Sequence, residues 1–436
     1  MKYYSTNKIV SEVGLEEAVI KGLAADNGLY MPNEIKKLPA EFFKNIEHMS
    51  FQEMSFRVAE AFFGEDIPAD DLKAIVYDTL SFDVPVVNVK DNIYSLELFH
   101  GPTLAFKDVG ARFMARLLGY FNQKEANDRL VNVLVATSGD TGSAVANGFL
   151  GVPGIHVYVL YPKGKVSPIQ ECQFTTLGQN ITALEVDGVF DDCQALVKSA
   201  FMDAELNAHM KLTSANSINV ARFLPQSFYY FYAYAQMKKR GQADNLVVCV
   251  PSGNFGNICS ALFGKRMGLP VKRFIAANNA NDIFYNYLQT GEYKPRPSVQ
   301  TIANAMDVGD PSNFARIYDL YKADHAAICA DISGATYSDE QIAETIREVY
   351  GETGYLCDPH GACGYRALKE GLNEGEVGVF LETAHPAKFL DTVQNIIEKD
   401  VEIPAKLAAF MNGTKVSVPM SKDFADFKAY LMKEPV

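Results

Sequence analysis

The chain contains no apolar run approaching the roughly 20 residues needed to cross a bilayer, so no membrane-spanning helix is expected. Its start, MKYYSTNKIV, lacks the basic-then-apolar pattern of a secretory signal. Positive charge is in the minority, with 40 Lys and Arg against 53 Asp and Glu and a net charge of -13. Nucleic-acid backbones and anionic membrane surfaces would repel such a chain, which excludes a general binder of either and leaves room only for a local basic pocket. Cysteine is sparse as well: seven residues scattered over 436 positions read as reduced thiols of a cytoplasmic protein rather than a disulfide framework. Cys357, His360 and Cys363 have the spacing of part of a metal site. Asp358, Pro359 and Gly361 suit a turn there, however, and no second ligand pair stands nearby, so no metal is expected. Low-complexity segments, long linkers and fixed-period repeats are absent. So are the G-x-G-x-x-G fingerprint and the G-x-x-x-x-G-K-[ST] pattern, which argues against a dehydrogenase or a P-loop NTPase.

What is present is a globular composition, 48% hydrophobic and 21% charged, long enough for two or three domains. A unit recurs: a short apolar run, a loop of small residues, then a helical pattern. LVNVLVA at 130–136 leads into TSGDTG, LVVCV at 246–250 into PSGNFGN, and 377–381 into ETAHPAKF. Residues 155–160 and 181–186 are further strand candidates. Fully apolar strands alternating with helices predict α/β architecture, with buried parallel sheets and helices on both faces. Ligands of such sheets sit beyond the carboxyl ends of the strands, where these loops lie. Residues 1–90 differ, with amphipathic helices expected at 16–23, 51–63 and 70–80. The expected division is a mainly helical region at 1–90, a smaller α/β domain at 91–235 and a larger one at 236–436.

Two loops join a strand to a helix N-terminus, where free backbone N–H groups and the helix dipole attract anions. In Gly253-Asn254-Phe255-Gly256-Asn257 the glycines let backbone wrap closely around a phosphate. In Thr137-Ser138-Gly139-Asp140-Thr141-Gly142 the hydroxyls suit a carboxylate or a second phosphate. Either loop alone reads equally well as an ordinary tight turn. The segment HGPTLAFKD places Lys107 between Phe106 and the apolar helical pattern at 109–118. Apolar surroundings lower a lysine pKa and make the amine nucleophilic. Taken alone, Lys107 reads better as a surface lysine paired with Asp108.

The ordered set HGPTLAFKD, ATSGDTGSA, SANSIN, VPSGNFGN, NAMDV and TAHPAKF resembles the threonine synthases of the longer bacterial and fungal type. The resemblance runs from GLAADNGLYMP near the start to FKAYL near the end. It implies the tryptophan-synthase-β-like fold (type II) of pyridoxal 5'-phosphate (PLP) enzymes. Lys107 matches the family's Schiff-base lysine, and Gly253, Asn254, Phe255, Gly256 and Asn257 match its cofactor-phosphate loop. Thr383 matches a hydroxyl residue expected to meet the pyridine nitrogen. Two departures stand out: Asn257 where the family often has Asp, and Glu382 where Ser is common.

The resemblance also implies a lyase that takes O-phospho-L-homoserine and water to L-threonine and phosphate, by γ-elimination and β-hydration. Ser138, Asp140 and Thr141 are expected near the substrate carboxylate, with Asp140 orienting donors. A second anion site is needed for the substrate phosphate. Candidates are Lys163, Asn219, Arg222 and Lys388, with Arg222 ahead because a guanidinium binds phosphate bidentately. Each is otherwise a solvated charge or polar group. His100 and His385 are equally acid–base or supporting residues. A monomer without nucleic-acid or membrane partners is expected. Rival readings are a related PLP-dependent phospholyase or dehydratase, and a non-catalytic PLP-binding sensor. NSIN, NAMDV and TAHPAKF favour the synthase over the first, and retention of both Lys107 and the phosphate loop disfavours the second.

Overall fold

The fully apolar runs become the interior strands of two separate, mainly parallel sheets. The computed structural model describes residues 1–125 and 129–434. One sheet has the order Val418–Met420, Ile181–Val186, Ile155–Pro162, Val131–Ala136, Lys211–Ser214, with all neighbours parallel. The other has the order Ile332–Thr336, Arg273–Asn278, Leu246–Pro251, Val377–Glu382, Ile93–Glu97, Val86–Lys90. Its neighbours are parallel except the last two, which form an antiparallel edge hairpin. Val131–Ala136 and Leu246–Pro251 are buried at every position, as strands covered on both faces must be. The α/β class read from the sequence is the observed one.

The N-terminal region carries helices Leu15–Lys21, Ala40–Asn45, Phe51–Phe63 and Ala69–Thr79. Phe51–Phe63 starts where Ser50 accepts the Glu53 N–H, and its Met54, Val58 and Phe62 face the core. A small antiparallel sheet of Val13–Gly14, Lys2–Ser5 and Tyr30–Pro32, which the periodicity did not announce, completes this region. Among the described residues, no helix is long and apolar enough to cross a membrane.

The expected domain boundaries at 90/91 and 235/236 need correction, because the sheets do not follow them. Val86–Lys90 and Ile93–Glu97 join the six-stranded sheet through Val377–Glu382. Val418–Met420 returns to the five-stranded sheet beside Ile181–Val186. A local apolar pattern reveals that a strand exists, whereas its sheet is chosen by partners far along the chain.

This crossing positions the site. Residues 104–106 run antiparallel to 383–385: the Phe106 N–H donates to the Thr383 carbonyl at 2.8 Å and His385 N–H to Leu104 at 3.0 Å. Lys107, the first residue of helix Lys107–Lys124, is thereby set against the carboxyl end of Val377–Glu382.

Candidate active site

Lys107 is half-buried, and its amine donates to the Thr141 hydroxyl at 3.0 Å. Burial lowers its pKa to about 8; Asp140 opposes that shift, while Arg222 and Lys388 add to it. The pairing with Asp108 does not form. Asp108 turns away, accepting the Thr103 N–H at 2.9 Å and the Thr103 hydroxyl at 2.5 Å. Tyr229 holds the preceding turn by donating its hydroxyl to the Phe106 carbonyl. Lys107 is therefore an amine without a hydrogen-bonded carboxylate partner, with a pKa low enough that a minority is neutral near physiological pH.

The PSGNFGN loop ends strand Leu246–Pro251 and opens helix Gly256–Arg266. Among the described residues, the N–H groups of Gly253, Asn254, Phe255, Gly256 and Asn257 donate to no protein atom. A bulky residue, Phe255, holds the left-handed conformation (φ 65, ψ 10) that aims this row, its ring packed 4.6 Å from that of Phe284. The asparagine side chains face away from the row. Asn254 donates to Ser217 at 2.5 Å and accepts the Ser312 N–H at 2.7 Å. Asn257 donates to the Pro251 carbonyl at 2.7 Å, which an ionised aspartate could not do. An array of unpaired donors at a helix N-terminus fits the phosphate of PLP.

The TSGDTG loop is built differently. The Thr137 hydroxyl takes the N–H groups of Gly139 and Gly142 at 3.0 and 2.8 Å. Asp140 forms a buried ion pair with Lys388 at 2.5 Å and accepts from Gln170 at 3.0 Å. Burial alone would raise the Asp140 carboxyl, but Lys388 and Lys107 hold it at about 2. Ser138 is exposed, and among the described residues its hydroxyl has no partner.

Thr383 follows strand Val377–Glu382 and is buried, its hydroxyl unpaired among the described residues. Its carbonyl accepts the Phe106 N–H, which sets it beside the Lys107 turn. Glu382 points the other way, accepting the Asp358 N–H at 2.7 Å.

The candidates for a second anion site separate. Arg222 is buried with no carboxylate. One N–H group donates to the Ala215 carbonyl, Nε has no described partner, and burial lowers the guanidinium to about 10. Lys388 is engaged by Asp140 and by the Thr103 carbonyl at 2.9 Å. Asn219 has no spare donor: it gives both N–H groups to Val19 and Ser214 and caps the short helix Val220–Phe223 through Ala221. Lys163 is exposed beyond strand Ile155–Pro162. Asn216, unnoticed within SANSIN, is half-buried beside Ala215 with its amide unpaired among the described residues. His385 accepts the Ala387 N–H at 3.0 Å, and burial lowers it to about 4, so it is a neutral cap. His100 is part-exposed and pairs with Glu97 at 3.0 Å.

Residues 84–383 match the family model of pyridoxal-phosphate dependent enzymes, 2–80 that of the threonine synthase N terminus, and 361–431 that of the threonine synthase C-terminal region. A threonine synthase of Serratia marcescens is 43% identical over 435 residues, covering 100% of both chains. The crystal structure of threonine synthase from Escherichia coli superposes with a TM-score of 0.91 at 43% identity, covering 99% of each chain. PLP-bound threonine synthase from Brucella melitensis superposes at 0.92 with 35% identity and the same coverage. The cofactor is pyridoxal phosphate, which the unpaired donor row and the depressed Lys107 amine fit. Since these matches span the chain from its N-terminal region through its C-terminal helices, it belongs to the threonine synthase family of PLP-dependent lyases.

Proposed function

We propose that the substrate is O-phospho-L-homoserine, converted with water to L-threonine and phosphate by γ-elimination and β-hydration. The observation that carries this reading is a pair of anion sites flanking one depressed lysine. One is the N–H row of Gly253–Asn257; the other centres on Arg222, whose charge no described carboxylate neutralises. A PLP lyase acting on an uncharged side chain needs only the first.

Bound PLP supplies the electron sink for carbanion charge. Gly253, Asn254, Phe255, Gly256 and Asn257 hold its phosphate, and Thr383 meets its ring nitrogen. Lys107 anchors the cofactor and, when its amine is free, moves the proton at the substrate Cα. A pKa near 8 suits an amine that must both accept and return a proton near neutrality. Ser138 and Thr141 orient the substrate carboxylate with the free N–H groups of their loop. Asp140, neutralised by Lys388, keeps that loop in place without repelling the carboxylate. Arg222, with Asn216 beside it, receives the substrate phosphate. Lys163 and Asn219 drop out of this role, the first by exposure and the second by its commitments to backbone. All seven cysteines are unpaired among the described residues, which supports a reducing, cytoplasmic setting. A monomer is part of the same proposal.

The deciding experiment mixes PLP-loaded protein with O-phospho-L-homoserine and follows phosphate and threonine together. Equal release of both supports the reading. Phosphate with a 2-oxo acid, and no threonine, would assign a phospholyase instead.

A further inference from the structure

Behind the site lies a buried hydrogen-bonded chain that the proposed chemistry does not use. His360, in helix Pro359–Gly371, is 2% exposed and packs beside the Phe389 ring. Its Nε2 faces the Ala305 backbone N–H at 3.1 Å, and its Nδ1 lies 2.6 Å from an Asp358 oxygen. A backbone N–H can only donate, so Nε2 accepts and the ring proton sits on Nδ1, donated to Asp358. Asp358 is fully buried and also takes the Gly361 N–H at 2.6 Å. Its own N–H donates to Glu382 Oε1 at 2.7 Å. Glu382 occupies space that only glycine at 361 leaves open, since a Cβ there would lie 1.9 Å from Oε2. Burial, with the neighbouring Asp358 adding to it, pushes the Glu382 carboxyl well above its usual range.

The other end of the chain reaches the phosphate loop. The Ala305 carbonyl lies 2.6 Å, and Met306 Cα 2.9 Å, from where a Gly253 Cβ would stand. Contacts therefore run from the strand end bearing Thr383, through Asp358 and His360, to Ala305 and Gly253.

We propose that His360 is a positioning residue for the cofactor-phosphate loop: its Nε2 holds the Ala305 N–H and braces the Asn304–Met306 turn against Gly253. The brace links the strand end bearing Thr383 to the loop around the phosphate, and so sets the spacing between the groups that hold the two ends of the cofactor. It rests on the assignment of Gly253–Asn257 to that phosphate. The turn has a second anchor in Asp307, which accepts from Asn279 at 2.9 Å and Thr301 at 2.7 Å, so loss of His360 loosens it without releasing it.

Two substitutions separate this role from simple core packing. His360→Gln places an acceptor near the Nε2 position and loses the donor to Asp358. His360→Asn keeps a donor near Nδ1 and loses the acceptor. The readouts are the rate of PLP loss from borohydride-untreated holoenzyme and the phosphorus NMR resonance of its bound phosphate. Asn is expected to lose cofactor about tenfold faster, with a shifted or broadened resonance, and Gln to stay near wild type. Equal behaviour of the two variants, or unchanged retention in Asn, overturns the proposal. Should neither variant fold, amide hydrogen exchange in the wild-type holoenzyme decides: protection of Ala305 supports the brace, and unprotected exchange overturns it. If PLP binding leaves the Gly253–Asn257 amide resonances of the wild type unmoved, the phosphate-loop assignment itself fails, independently of His360.

Discussion

The TSGDTG and PSGNFGN loops look alike in sequence, each a glycine-rich turn between an apolar strand and a helix, yet they are stabilised in opposite ways. In the first, side chains do the holding: Thr137 ties down two of the loop's N–H groups, and Asp140 is fixed by Lys388 in a buried ion pair. In the second, the backbone is left bare, and its asparagines turn outward to Ser217, Ser312 and Pro251. A row of N–H groups held by its surroundings suits a permanently bound phosphate. A loop with the exposed Ser138 hydroxyl over a buried ion pair suits a ligand that arrives and leaves. Composition alone does not separate resident from visiting anions; the destination of the side chains does.

The sharpest test removes what both loops serve. Lys107→Ala should abolish borohydride trapping of PLP and lower kcat by about 10²–10⁴-fold or more; normal turnover would dissolve the whole assignment. In cofactor-free protein the neutral Lys107 amine should gain about tenfold per pH unit below 8, so PLP uptake should climb and level off above about 8. Next in size is Lys388→Met, which leaves Asp140 buried and unpaired at a cost of about 3–5 kcal/mol in urea unfolding at pH 7. Asp140 is held below the ordinary carboxylate range, so it stabilises the fold above that range. The contribution is lost as pH falls through about 2, and in this variant acid loss should begin at a higher pH. An unchanged urea midpoint would mean that the first loop does not depend on Lys388. Gly253→Ala should weaken PLP retention by about 1–3 kcal/mol, because its Cβ meets the Ala305 carbonyl. Gly139→Ala, strained at φ +153 and against Gln170, should instead raise KM and leave PLP retention near wild type. Equal loss of retention in both would erase the distinction between the loops. The smallest expected effect is that of Asn257→Asp, about 1 kcal/mol in cofactor binding, as the donor to Pro251 is lost.

Strands and chemistry-bearing loops were legible because their signals are local. The run at 181–186 is a strand over the same residues, and 51–63 is a helix over the same residues. Lys107 became legible only through the ordered motifs, since by itself it looked like a partner of Asp108. What stayed hidden was fixed by residues far apart in the chain. Asn219 looked like a ligand in NSIN, but it reaches back to Val19. Lys388 looked like a free cation in HPAKF, yet its charge is spent on Asp140. His360 resembled a metal ligand between two cysteines; burial pushes both thiols up, and the imidazole binds Asp358 and Ala305. Among the described residues no His, Cys, Asp and Glu group is arranged to hold a metal.

The interleaving of the two sheets bears on how the chain is made. Ile93–Glu97, which delivers Lys107, has its central neighbour in Val377–Glu382, a strand that leaves the ribosome late. The five-stranded sheet likewise gains its last strand only at Val418–Met420. Neither sheet can close during synthesis of the first half, so apolar strand edges stay open until residues 377–420 have been made. Such non-local pairing slows folding and exposes the nascent chain to aggregation. The arrangement that brings a lysine from one end of the chain under a threonine from the other therefore makes the active site among the last features of the protein to exist.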